Sequence, residues 1–174
     1  MSGHSKWSQI KNKKGVTDAK RSKTFSQMVR LISAAAKNGA DPKNNARLRD
    51  IILKAKEINM PKENIDRAIK KSSEEKLEEL VMECWVPGGV ALIIEAITDS
   101  HNRTIAEIKH LLSKFEASLG GPGSVKWMFE FKDGEYQAKN EITVPEEQKA
   151  QLEKLFEALD ENGDVTEFYT NLQI

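Results

Sequence analysis

The apolar residues of this chain change period once, and the change lies near Ser72-Ser73-Glu74-Glu75. Before it they recur every three or four positions; after it they alternate every two. A 3.6-residue period belongs to a helix that buries one stripe, and a two-residue period to a strand that buries one face. The first half is therefore expected to be helical and the second half a sheet with helices against it. Thr17-Asp18 opens a first helix whose stripe is Phe25, Met28, Ile32 and Ala35, and Asn38-Gly39 stops it. A second helix begins near Asp41-Pro42 and buries Leu48, Ile51, Ile52, Ala55 and Ile58. Pro61 suits the first turn of a third helix, with Glu63 near the positive end of its dipole and Ile65, Ala68 and Ile69 as its stripe. Three short amphipathic helices with brief links make a small bundle. Residues 1–16 show neither period and read as a basic arm.

In the second half Leu80, Met82 and Cys84 alternate up to the turn signal Pro87-Gly88-Gly89, and Val90 to Thr98 reads as a central strand. Ile105, Ile108, Leu112 and Phe115 mark a helix. Val125, Trp127, Phe129 and Phe131 alternate as a strand, Asp133-Gly134 is a hairpin signal, and a further strand runs from Tyr136 to Val144. Leu152, Leu155, Phe156 and Leu159 mark the last helix, and Val165 to Leu172 the last strand. From residue 90 the order is βαββαβ, so the expected class is α+β: a three-helix bundle followed by a ferredoxin-like sheet domain with an extra strand in front. The expected boundaries are 1–75 and 76–174.

The chain carries no net charge, yet the two halves do not share that neutrality. Residues 1–71 hold 18 Lys and Arg against 6 Asp and Glu; residues 72–174 hold 9 against 21. Each half generates its own field, and a basic domain is the usual footprint of a nucleic-acid partner. The charge is densest where Lys6, Lys11, Lys13, Lys14, Lys20, Arg21 and Lys23 face a single acid, Asp18. Such a run binds phosphate by Coulomb attraction and counterion release. Trp7, inside the run, either stacks on an unpaired base or packs on the bundle. His4 heads the same arm. On the second helix Lys43, Arg47 and Lys54 share one side, as a phosphate contact or as a solvated face. The connection Asn59-Met60-Pro61-Lys62 offers a helix N-terminus to phosphate, or simply joins two helices.

Catalysis finds little support. His4, His101 and His110 have no partner at a recognised catalytic or metal spacing, and Cys84 sits mid-strand as a packed, inert thiol. Gly120-Gly121-Pro122-Gly123-Ser124 lacks the Gly-Lys-Ser/Thr ending of a Walker loop and reads as a turn. No cofactor is implied. A single cysteine suits a reducing compartment, the first residues lack the apolar core of a secretory signal, and no stretch is long enough to span a bilayer; a cytoplasmic protein is expected. The acidic half would repel nucleic acid and suits a basic protein surface.

Several motifs resemble the YebC family. They are Ser2-Gly3-His4-Ser5-Lys6-Trp7, Asp18-Ala19-Lys20-Arg21 with Phe25, Asp41-Pro42 with Asn45-Ala46-Arg47-Leu48-Arg49, and Asn59-Met60-Pro61-Lys62 with Asn64-Ile65. Pro87-Gly88-Gly89-Val90, Asn102-Arg103-Thr104, Gly123-Ser124-Val125 and Tyr169-Thr170-Asn171 extend the likeness over most of the chain. The resemblance implies a regulator of gene expression. Bacterial members carry the label of DNA-binding transcriptional regulators, a mitochondrial relative activates translation, and other family work points to stalled ribosomes. It also implies three domains, the middle one inserted in the sheet domain. This chain departs there, because Lys132 to Asn140 suffices for a hairpin and not for a domain.

The leading expectation is a non-enzymatic factor that docks its arm and bundle on ribosomal RNA and helps translation, with the Met60-Pro61 loop as the tip of the bundle. The alternatives are a transcriptional regulator on duplex DNA and a protein-interaction module that works through the acidic half.

Overall fold

The computed structural model describes residues 18–173, with side chains from Lys23 onward. They divide into a helical unit, running through Glu79 and including Ile97–Ser100, and a sheet unit of Leu80–Ala96 and the residues from His101 on.

The helical unit holds α1 (Asp18–Ala36), α2 (Ala46–Glu57) and α3 (Lys62–Lys71). Ile32, Ala35, Leu48, Ala55, Ile65 and Ala68 form its buried core, with Phe25, Met28 and Ile58 packed around them. Small residues on α1 let α3 approach closely, and Ser33, fully buried there, donates its hydroxyl proton to the Ala68 carbonyl at 2.9 Å. Asn45 caps α2: its Oδ1 accepts from the Leu48 N–H, while its Nδ2 donates to the carbonyls of Ala35 and Gly39, each at 2.8 Å. One buried amide thus satisfies the end of α1 and the start of α2 together.

The sheet unit contains most of β1 (Glu78–Val86) and β2 (Val90–Thr98), whose outer ends count with the helical unit, and α4 (His101–Ser113), β3 (Ser118–Leu119), β4 (Phe129–Lys132), β5 (Glu135–Ala138), α5 (Glu146–Glu161) and β6 (Val165–Thr170). The main sheet has the order β3-β1-β2-β6. Leu80, Met82 and Cys84 of β1 and Val90, Leu92 and Ile94 of β2 point to one face, where α4 and α5 cover them with Ile108, Leu112, Leu155 and Phe156. The Phe156 and Phe168 rings stack at 5.2 Å. On the other face Ala91, Ile93 and Tyr169 are covered by Val125, Phe129 and Tyr136.

The α+β class, the helical bundle and the ferredoxin-like sheet are as the sequence leads one to expect. The strands are allotted differently inside it. β1, expected as an extra strand, takes an inner place beside β2. The residues expected to give two strands of that sheet form the separate β4–β5 hairpin. Val125 to Phe131 is not one strand, because a 3₁₀ turn at Lys126–Met128 interrupts it. The hairpin turn itself is as expected: Asp133 and Gly134 both have positive φ, the signature of a two-residue type I′ connection.

Candidate nucleic-acid interface

His4, Lys6, Trp7, Lys11, Lys13 and Lys14 lie outside the described residues. Lys20 and Arg21 belong to the first turn of α1 and Lys23 to the next, so the basic run of the arm continues onto a helix start. That placement opposes the helix. A macrodipole is positive at its N-terminus, and a cation there costs about 0.3–1 kcal/mol. The last turn of α1, where cations would help, holds none. An anion bound at the start of α1 would turn this unfavourable arrangement into a favourable one.

Several other basic residues of the unit have a structural account. Lys54 and Lys56 close α2, and Lys70 and Lys71 close α3, both at the negative end of a dipole. On α3, Glu63 precedes Arg67 and Asp66 precedes Lys70 by four residues, the spacing of self-compensating pairs. Arg47 is engaged by Glu79, with Nε and Nη2 at 3.1 and 3.0 Å from the two carboxylate oxygens. Both side chains are largely exposed, so the pair contributes at most about 1 kcal/mol. Arg47 and Lys54 do share a flank of α2, seven residues apart.

Met60 is a correction. The expected tip of the bundle would put it within reach of nucleic acid, but it is buried in the helical core. Asn59 takes φ +59°, the Met60 N–H donates to the Ala55 carbonyl, and the Asn59 N–H donates to the Lys56 carbonyl. This is a Schellman motif, which turns the residue after the left-handed one back onto the helix. Pro61 and Lys62 remain exposed at the start of α3.

The sheet unit holds a residue the sequence did not single out. Glu83 is buried on β1, and its carboxylate accepts from the N–H groups of Gly123, Val125 and Lys126 at 2.6, 2.8 and 2.7 Å. Gly123, at φ +81°, gives the loop its left-handed corner. Burial alone would raise the carboxyl pKa; the three N–H donors and the Lys126 ammonium outweigh it and hold it below its ordinary value of 4.5. The glycine-rich loop therefore cradles an internal carboxylate. A lone Glu between apolar strand residues is the faint signal of this role.

Cys84 is fully buried, and desolvation with the neighbouring Glu83 charge pushes its thiol up to about 12. No helix among the described residues is long and apolar enough to cross a membrane.

Residues 5–75 match a family model described as the TACO1/YebC protein N-terminal domain. Residues 77–134 match one described as the TACO1/YebC second and third domain. A probable transcriptional regulatory protein of Syntrophus aciditrophicus is 52% identical over 76% of this chain and 55% of its own length. Another so named, from Petrotoga mobilis, is 43% identical over 98% of this chain and 70% of its own. This chain thus spans between about half and three quarters of those relatives. The crystal structure of a conserved hypothetical protein from Aquifex aeolicus superimposes with a TM-score of 0.80 at 29% identity, covering 90% of this chain and 92% of that one.

Proposed function

We propose, from the premise that the chain belongs to the TACO1/YebC family, that it is a nucleic-acid-binding regulator of gene expression with its contacts in the basic helical half, residues 1–75. The observation that carries this is the opening of α1, where Lys20 and Arg21 in the first turn extend the arm's charge against the helix dipole. The dipole opposes these cations, and a bound phosphate backbone offsets that opposition. Lys6, Lys11, Lys13 and Lys14 supply the remaining contacts of the arm. Pro61 and Lys62, exposed at the start of α3, are a further point of approach.

The names of the relatives support action at transcription, on duplex DNA. A second reading, RNA in the setting of the ribosome, is favoured by one observation. Apart from Ala46 and Leu53, the exposed positions of α2 and α3 carry only Arg, Lys, Asp and Glu, and Asn64 is half-buried. Bidentate reading of adenine edges needs exposed Asn or Gln amides, and acids beside the bases weaken any approach to a groove.

A competition experiment separates the two. The protein is offered ribosomes and duplex DNA from its own promoters together, with salt raised from about 50 to 200 mM. Over that range a protein that neutralises six or more phosphates weakens by roughly a thousandfold. A footprint on one promoter that persists at the top of the range supports transcription. Retention on ribosomes with release of all DNA supports the RNA reading. Release of both, unchanged in a Lys11→Glu, Lys13→Glu, Lys14→Glu variant, rejects the arm as the contact.

A further inference from the structure

The β4–β5 hairpin uses only part of its aromatic content to cover the sheet. Phe129 and Tyr136 are buried against Ala91, Ile93 and Tyr169. Trp127, on the 3₁₀ turn, is 64% exposed and Phe131, in β4, 57% exposed. Neither belongs to the buried cluster they adjoin. An exposed Trp is ordinarily mobile, but here the indole N–H donates to the Ser124 carbonyl at 3.0 Å, which fixes the ring while leaving it in solvent. Its polar edge is satisfied and its π-surface is offered outward. The backbone beneath it is fixed as well, since the N–H of the preceding residue, Lys126, is held by the buried Glu83 carboxylate. Phe131 packs its ring on Tyr136 at 4.9 Å between centroids.

Two cations hold to the same hairpin, one on the turn's backbone and one over the buried ring beneath Phe131. The Lys139 ammonium donates to the Trp127 carbonyl at 2.8 Å, and the Lys126 ammonium lies 5.6 Å from the Tyr136 centroid. In a half that carries 9 bases against 21 acids, residues 126–139 hold three of each. Removing that segment leaves 6 bases against 18 acids. The aromatic edge thus carries no net charge within a half that is acidic as a whole, and its own sequence does not repel a polyanion.

We infer that Trp127 and Phe131, with Lys126 and Lys139, form a stacking site for unpaired nucleobases on the sheet unit. Single-strand binding elsewhere combines aromatic rings with nearby cations in this way, because every base has a π-face and every linkage a phosphate. The inference rests on the reading of the protein as a nucleic-acid binder, and it adds a second contact of different chemistry: the arm holds phosphate on any strand, and the hairpin edge selects strands whose bases are unpaired.

The test uses the full chain and two probes, an oligouridylate of roughly 10–15 nucleotides and a duplex DNA of the same length. Trp127→Ala is expected to weaken oligouridylate binding roughly five- to 150-fold, the effect of about 1–3 kcal/mol of stacking per base, and to leave duplex binding within about twofold. Trp127→Phe keeps a ring and restores most of the affinity, which separates stacking from damage to the loop; Phe131→Ala gives the same pattern as Trp127→Ala with a smaller effect. Wild-type affinity for oligouridylate in both alanine variants overturns the inference. If Lys11→Glu, Lys13→Glu, Lys14→Glu still weakens both probes in that case, the arm's role stands alone. If Trp127→Ala abolishes oligouridylate binding while the arm variant binds both probes as wild type does, the stacking site stands and the arm's role falls.

Discussion

The two units treat charge in opposite ways. In the sheet unit the decisive charge is turned inward: Glu83 gives its carboxylate to three backbone N–H groups and holds a glycine-rich loop in place. In the helical unit the cations at the opening of α1 stand at the end of the dipole that repels them. A buried, fully bonded charge has its function within the fold. On the proposed function, a phosphate backbone outside the fold offsets the charges that oppose the α1 dipole. The same contrast recurs within the helical unit, because the basic residues ending α2 and α3 are where the dipole favours them.

Substitutions at four positions test this contrast, beginning with the largest effect. Phe156→Ala empties the centre of the sheet unit, where the ring is fully buried against Phe168, and should cost about 3–5 kcal/mol in chemical denaturation. Measured while still folded, the variant should keep its affinity for duplex DNA; a parallel fall in affinity would break the division of labour between the halves. Glu83→Ala leaves three donors without their acceptor and should cost about 2–4 kcal/mol. Because the folded carboxyl has a lowered pKa, its stabilisation is present above the ordinary value of 4.5 and disappears as pH falls through the lower folded value. Wild type should therefore become less stable on acidification in a window that begins at about pH 5 and extends below about pH 4, and Glu83→Gln should show a flatter profile there. An identical profile in the two would place the acid-labile group elsewhere.

Smaller effects sharpen the comparison. Asn45→Ala removes the α2 cap and two buried donor bonds, so a destabilisation of about 1–2 kcal/mol is expected by thermal melting. Glu116 follows α4 in the left-handed region, at φ +56°, with the Ala117 N–H bonded to the Leu112 carbonyl. Glu116→Gly removes that strain and should raise stability by at most about 1 kcal/mol, the gain being offset in part by a freer unfolded chain.

Most of the fold was legible where interactions are local. The stripes of α1, α2 and α3, the proline that opens α3 and the Asp133-Gly134 turn all act within a few residues of themselves. The alternation of Val125, Trp127, Phe129 and Phe131 misled for a non-local reason. The Glu83 carboxylate, some forty positions earlier, captures the N–H groups of Val125 and Lys126 and bends the chain into a 3₁₀ turn. Val125 and Phe129 then point inward four residues apart, and Trp127 and Phe131 are left outside. Met60 misled for a local reason that a closer reading could have caught. Ala55 and Met60 have the spacing of the apolar pair in a Schellman motif, with Asn59 between them as the left-handed residue. Of the candidate interface, the charge and its position along the chain were legible. The difference between cations that serve a helix and cations that oppose it required the helix boundaries.

The most direct test of the central claim compares two sets of substitutions in one assay, the salt dependence of duplex DNA binding. Lys20→Ala, Arg21→Ala together should lower affinity and reduce the slope of log K against log salt by roughly one unit for each phosphate no longer neutralised, while helix stability rises or holds. Lys54→Ala, Lys56→Ala, Lys70→Ala, Lys71→Ala together should leave the slope unchanged and lower stability by about 0.3–1 kcal/mol for each favourable dipole interaction removed. If the second set flattens the slope and the first does not, the nucleic-acid contact lies on the ends of α2 and α3, and the account of α1 is wrong.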